Sequence, residues 1–262
     1  MISLNALLGR PVEYYEYPWA IEGGLRSAQS RFRSLFQPSD VGYIFAKSMP
    51  RSGHRFLSEC LAHYFGPELH YCGFYWPGCC HRIPCKHPHP GGRTNRYFMQ
   101  KSHDFGFRDS NGLNGKYLIQ YRSPIPRLQS NYDLAVTRGT VEKSKESFDA
   151  FAERETAYFI NFYRKWIAAP RLNALAVAYE DLIEQQERTL TAVIGFITGD
   201  SGVDGAALAR ALAAAPVGGN NGTGGVRDPM RHQFFDPVLF ARLEHRIAHD
   251  CGKDRIRFLF LG

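Results

Sequence analysis

Apolar and polar positions change period several times along the chain, and each change marks an element. Val41-Gly-Tyr-Ile-Phe-Ala-Lys-Ser48 reads as a buried strand, and Phe56-Leu-Ser-Glu-Cys-Leu-Ala-His-Tyr-Phe65 repeats its apolar residues at helical spacing. The short basic loop Met49-Pro-Arg-Ser-Gly-His-Arg55 joins them. Tyr97–His103 and Lys116–Arg122 predict further strands, the second bounded by Asn111-Gly and Pro124. Ile125–Arg138 predicts a helix with Pro126 in its first turn, and 145–169 a long amphipathic helix. Ala174–Tyr179 is a strand, Leu182–Thr198 a helix, 203–215 an alanine-rich helix and Pro237–His249 a last helix. Residues 1–37 show no clear period and read as a segment wrapping the surface. Residues 66–96 crowd Gly, Pro, Cys and His and leave little room for regular structure, and 218–225 reads as a mobile glycine loop.

Strands alternating with helices predict an α/β fold, a mostly parallel sheet covered on both faces. Such sheets bind ligands beyond the carboxyl ends of their strands, where Arg51, His103 and Arg122 all fall. A chain of 262 residues suits one domain over 1–262, with 1–37 and 66–96 as its appendages. No apolar run approaches the length of a membrane span, and polar and acidic residues come too early for a secretory signal, so a cytoplasmic protein is expected. Thirty-two basic against 25 acidic residues give a net charge of +7, which suits an anionic cofactor or substrate. The arginines are dispersed with no aromatic-basic stripe, so nucleic acid is not the expected partner.

A strand, a tight loop and a helix N-terminus in that order make an anion cradle, because unpaired backbone N–H groups converge there and the helix dipole favours negative charge. Arg51, Ser52, His54 and Arg55 add side-chain donors at the same point. A plain turn that needs Gly53 is the structural alternative. The nucleoside-triphosphate version of this loop requires a Gly-Lys-Ser/Thr ending with the hydroxyl on magnesium. Here Gly53 is followed by His54 and Arg55, so a phosphate-like ligand without a required metal is expected.

In order, these segments resemble the sulfotransferases that use 3′-phosphoadenosine 5′-phosphosulfate (PAPS). Pro50-Arg-Ser-Gly-His-Arg-Phe-Leu57 resembles the family's 5′-phosphosulfate loop. Tyr121-Arg-Ser-Pro with Ser130-Asn-Tyr132 resembles its 3′-phosphate motif, Tyr179-Glu-Asp-Leu182 its Tyr-Glu-Asp-Leu segment, and Lys101-Ser-His103 its Lys-Thr-His segment. The resemblance implies a P-loop-like three-layer domain that transfers a sulfuryl group from PAPS to an acceptor hydroxyl and leaves 3′-phosphoadenosine 5′-phosphate (PAP). It implies cofactor contacts from Arg51, Ser52, Gly53, His54, Arg55, Arg122, Ser130, Tyr179 and Arg227. It makes His103 the general base, Arg51 the cation that stabilises the leaving phosphate, and Lys101 a group orienting bridging oxygens. His54 and Arg55 depart from the pattern by replacing two threonines. The usual closing element is absent, with Gly222-Thr-Gly-Gly-Val-Arg227 in its region. A bacterial-type enzyme acting on a carbohydrate or glycolipid is preferred, with peripheral contact to a membrane glycolipid. A nucleotide-dependent kinase and a non-catalytic binder of nucleotide or sulfated glycan are the alternatives.

Cys72, Cys79, Cys80 and Cys85 lie close to His81, His87 and His89. Zinc, disulfides and uncrosslinked thiols all remain open, since the spacing is not that of a familiar zinc knuckle. Tyr71, Phe74, Tyr75 and Trp76, with Arg82, Lys86 and Arg93, form a mixture suited to a sugar face or an aromatic acceptor. Glu180 and Asp181 read as a helix cap and a salt bridge rather than a metal site. Asp104 fixes the His103 imidazole only if the backbone turns.

Overall fold

The computed structural model describes residues 42–75, 81–85, 96–109, 112–169, 173–215 and 228–261. Its strands are β1 (Gly42–Ser48), β2 (Leu69–Cys72), β3 (Tyr97–Ser102), β4 (Lys116–Tyr121) and β5 (Ala174–Ala178). They form one sheet in the order β2-β3-β1-β4-β5, and every pairing is parallel. The register runs from Gly42 opposite Tyr97 to Lys47 opposite Ser102, and from Ile44 opposite Lys116 to Ser48 opposite Gln120. The central strand β1 therefore ends between the ends of β3 and β4.

The helices are α1 (His54–Phe65), α2 (Pro124–Thr137), α3 (Lys145–Phe162), α4 (Tyr179–Glu184), α5 (Gln186–Thr198), α6 (Gly205–Ala214) and α7 (Pro237–Cys251). They cover both faces, giving three layers. Ile44 and Ala46 of β1 pack with Leu57 and Leu61 of α1, Leu190 and Val193 of α5 and Leu208 of α6. Phe45 points to the other side, with Tyr117, Phe159, Phe162, Trp166 and Ile247. Burial on both faces is why β1 reads as a nearly continuous apolar run rather than an alternation. A third cluster joins α2, α3 and α7 through Tyr132, Phe148, Phe151 and Phe240.

Local chemistry sets the helix boundaries. Ser144 and Ser147 form a reciprocal capping box at the start of α3. Asp204 and Asp236 accept from first-turn amides of α6 and α7. Past Phe162 the helix widens into a π-helical stretch over Tyr163–Ala168. There the adjacent Lys165 and Trp166 both reach the Asp104 carboxylate.

Two expectations change. Residues 69–72 form an edge strand where little regular structure was expected; β3 supplies the pairing, so their own pattern need not announce it. The helix expected over Leu182–Thr198 is two helices, broken at Gln185 with φ −132°.

Candidate active site

The loop after β1 is tied to the neighbouring strand by the Met49 N–H on the Gln120 carbonyl at 2.9 Å. The Ser52 hydroxyl donates to the Met49 carbonyl at 2.6 Å, closing the turn from within. Arg51 holds φ 67° and Gly53 φ 77°, so two of three consecutive residues lie in the left-handed region. Strain of this kind at a non-glycine such as Arg51 concentrates at ligand-binding loops. A Cβ on Gly53 would stand 2.7 Å from the Tyr179 ring, so glycine is required for space as well as conformation. Gly53 is the N-cap of α1, and no side chain caps that helix. Its first-turn amides therefore present the donor set that an anion takes.

Four predicted residues meet on one side of this loop. The Arg51 Nε donates to the Ser130 hydroxyl at 2.9 Å. Arg122 Nη1 lies 3.4 Å from the Arg51 carbonyl, and its guanidinium carbon sits 4.3 Å over the Tyr179 ring. Arg122 is only 6% exposed, its Nε has no hydrogen-bond partner, and no carboxylate ion-pairs with it among the described residues. Burial depresses its pKa, partly offset by Tyr179 and Glu180, yet a guanidinium remains charged. A buried cation with an unmet donor is costly unless an anion joins it. These residues fit a phosphate.

His54 and Arg55 turn elsewhere. The His54 ring is buried, with Nδ1 2.7 Å from Gln120 Oε1 and Nε2 2.9 Å from the Tyr71 hydroxyl. An amide oxygen only accepts, so Nδ1 carries the proton and Nε2 receives the Tyr71 O–H. Burial, then the charge of Lys101, lowers the pKa of His54 to about 3 and keeps it neutral. Arg55 points to solvent and pairs with Glu59 one turn on at 2.7 Å. Both were expected to offer side-chain donors to the anion; here both ring nitrogens of His54 and the Nε of Arg55 are engaged by the protein.

His103 is the first residue past β3. Its Nδ1 lies 2.6 Å from the Ser48 carbonyl and 3.3 Å from the Ser48 hydroxyl. The carbonyl bond fixes the proton on Nδ1 and leaves the lone pair on Nε2, the form a general base needs. Burial and the Lys101 charge hold its pKa well below the ordinary histidine value, against the pull of the Ser48 bond. Tyr75 stacks on the ring at 5.2 Å and its hydroxyl accepts the His103 N–H at 2.7 Å. The Tyr158 hydroxyl donates to the His103 carbonyl at 2.7 Å, and Phe105 lies 5.1 Å from the imidazole. Lys101 places its ammonium 5.7 Å over the Tyr75 ring. The backbone does turn at Asp104, with φ 47°, but its carboxylate engages Lys165 and Trp166 rather than the imidazole.

Sequence reasoning missed Ser48, Tyr75 and Tyr158 as partners of His103. Ser48 had a signal: β1 and β3 pair Lys47 with Ser102, so continuing that register sets Ser48 beside His103. Finding it required the strand order. Of the acidic pair, Glu180 accepts the Ser123 N–H ahead of α2 rather than capping its own helix, and Asp181 pairs with Arg257 at 2.7 Å in an exposed bridge. Cys72 and Cys85 stand with sulfurs 3.9 Å apart and unbridged. Cys79, Cys80, His87, His89, Trp76, Arg227 and the 218–225 loop lie outside the described residues. Among the described residues no group of three or more His, Cys, Asp or Glu side chains is placed to hold a metal, and no helix is long and apolar enough to cross a membrane.

No protein-family model matches the sequence, and no curated protein matches it. Solved structures do match in shape. A mouse sulfotransferase complexed with PAP aligns at TM-score 0.56 and 12% identity, over 87% of this chain and 90% of that one. Retinol dehydratase in complex with androsterone and the inactive cofactor PAP aligns at TM-score 0.60 and 14% identity, over 89% of this chain and 87% of its own. A sulfotransferase from Alicyclobacillus acidocaldarius aligns at TM-score 0.50 and 14% identity, over 80% of this chain and 92% of that one. The likeness to these structures gives this chain a sulfotransferase-like fold.

Proposed function

We propose that the protein transfers a sulfuryl group from PAPS to an acceptor hydroxyl. The observation that carries this reading is Arg122, a buried guanidinium with an unpartnered Nε beside the glycine loop and Ser130. It answers to a 3′-phosphate, the group that separates PAPS from adenosine phosphosulfate. Ser130 and Arg122 hold that phosphate, and the Tyr179 ring keeps the guanidinium over the loop. Arg227 keeps its proposed place as a further cofactor contact. The amides of Gly53, His54 and Arg55 receive the 5′-phosphosulfate at the uncapped start of α1, with Ser52 holding the loop closed.

PAPS supplies an activated sulfur and a phosphate leaving group. His103 Nε2 takes the proton of the acceptor hydroxyl as its oxygen bonds to sulfur. Arg51 and the loop amides hold the negative charge that the breaking sulfur–oxygen bond leaves on the 5′-phosphate, which favours the transition state over the ground state. Lys101 adds positive charge beside His103 and orients bridging oxygens. Tyr75 and Phe105 flank His103, with partly buried Phe74 against Tyr75 and Phe107 against Tyr158, and these rings would offer apolar faces to the acceptor. A carbohydrate or the sugar of a glycolipid, stacked on these rings, is the acceptor we favour.

Calorimetric titration with PAP, against adenosine 5′-phosphate and magnesium-ATP, tests the cofactor site. Tight binding of PAP alone is expected, and Arg122→Met should abolish the preference for the 3′-phosphorylated nucleotide. Preference for magnesium-ATP would move the protein to the kinases. His103→Ala should cut kcat by roughly 10²–10⁴ while PAP affinity stays within about twofold. Tight PAP binding with near-normal turnover in that variant would remove His103 from the mechanism.

A further inference from the structure

The residues on either side of His103 belong to one buried polar network that is joined to the histidine through its backbone. Asp104 is 4% exposed and carries φ 47°, a left-handed turn immediately after the histidine. Asp adopts this conformation more readily than most residues, chiefly where its side chain is held locally. Here the holding is extensive. One carboxylate oxygen accepts from Lys165 Nζ at 2.6 Å and from Trp166 Nε1 at 2.9 Å. The other accepts the Asp109 N–H at 2.9 Å, closing the 104–109 loop. The Asp104 N–H donates to the Ser102 hydroxyl at 3.0 Å, and that hydroxyl donates to Asp109 Oδ2. Lys47, 1% exposed on β1, reaches the same Asp109 oxygen at 2.6 Å and lies 5.1 Å over the Trp166 ring.

Two carboxylates and two ammonium groups thus meet under the end of β3, on the face covered by the π-helical stretch. Such a cluster is weak evidence for stability in itself, because burying charges carries a desolvation cost that their attraction often fails to repay. What a satisfied polar network adds is a single backbone arrangement. His103 is where that arrangement has a chemical readout, since its Nδ1 must meet the Ser48 carbonyl for Nε2 to keep the lone pair.

We propose that Asp104 is a positioning residue for His103: clamped by Lys165 and Trp166, its carboxylate holds the left-handed turn that keeps the imidazole on the Ser48 carbonyl. Asp104 touches neither donor nor acceptor. Its assignment rests on reading His103 as the base of the proposed transfer.

The test combines two variants with a readout independent of turnover. Asp104→Asn keeps a residue at ease in the left-handed region and removes the anionic oxygen that takes Lys165 and Trp166. Lys165→Met, at a partly exposed position, removes the clamp from the other side and serves where Asp104→Asn does not fold. Imidazole nitrogen NMR of the wild type should show His103 protonated on Nδ1. In the variants that signal should give way to a mixture of tautomers. Transfer assays should show kcat falling about tenfold to a hundredfold, with KM and PAP affinity within about twofold, as expected for loss of alignment rather than of binding. An unchanged His103 nitrogen spectrum in a folded variant overturns the proposal. A wild type that fails to bind PAP removes the transferase reading instead, and the nitrogen spectra alone then decide whether Asp104 sets the histidine.

Discussion

Gly53 and His54 sit next to each other and constrain the loop in different ways. Gly53 has φ 77° and faces the Tyr179 ring at a distance that excludes a Cβ, so Gly53→Ala should destabilise the fold by roughly 1–3 kcal/mol and weaken PAP binding together. Chemical denaturation and calorimetry on the same variant check both. His54 is neutral between Gln120 and Tyr71, with its pKa lowered from 6.5 to about 3. Between those values the unfolded chain binds a proton that the folded chain refuses. Its contribution is therefore complete above about pH 6.5 and drains away as pH falls toward 3. Urea titrations at pH 8 and pH 5 should show His54→Gln losing about 2 kcal/mol less than the wild type over that interval. Equal losses would mean the ring is charged in the fold. Sequence alone could not give the direction of the His54 side chain, because its partners come from β2 and β4.

Among the elements, α3 begins with a self-sufficient signal and ends without one. Ser144 with Ser147 makes a local capping box, so Ser144→Ala should cost about 0.5–2 kcal/mol in thermal unfolding and leave nucleotide binding unchanged. The π-helical end over Tyr163–Ala168 carries no such mark, since Lys165 and Trp166 are drawn to an acid some sixty residues away. The same contrast governs what could be read beforehand. Strands β1, β3 and β4 announce themselves because burial on both faces makes them largely apolar, and β5 does so through its unbroken Ala-Leu-Ala-Val-Ala run. Strand β2 does not, because its four residues, Leu-His-Tyr-Cys, carry no apolar run and take their order from β3. Likewise Arg51, Arg122 and Ser130 come together from two motifs, but the carbonyl of Ser48 that sets the His103 tautomer has no side-chain signature.

For the whole molecule, a net charge of +7 and an uncapped helix start predict that nucleotide binding is read as stability. PAP at about a hundred times its dissociation constant should stabilise the fold by about 2.7 kcal/mol, observed as a rise in melting temperature. That rise should persist in a chelating buffer and shrink with added salt. Loss of the shift on chelation would point to a metal-dependent nucleotide site. The parallel order β2-β3-β1-β4-β5 delivers Phe74, His103, the glycine loop, Arg122 and Tyr179 to a single rim. Each strand sends its own segment to that rim, so the rim divides into sectors. Under the proposed function the sector after β2 serves the acceptor, and the sectors after β1, β4 and β5 hold the donor.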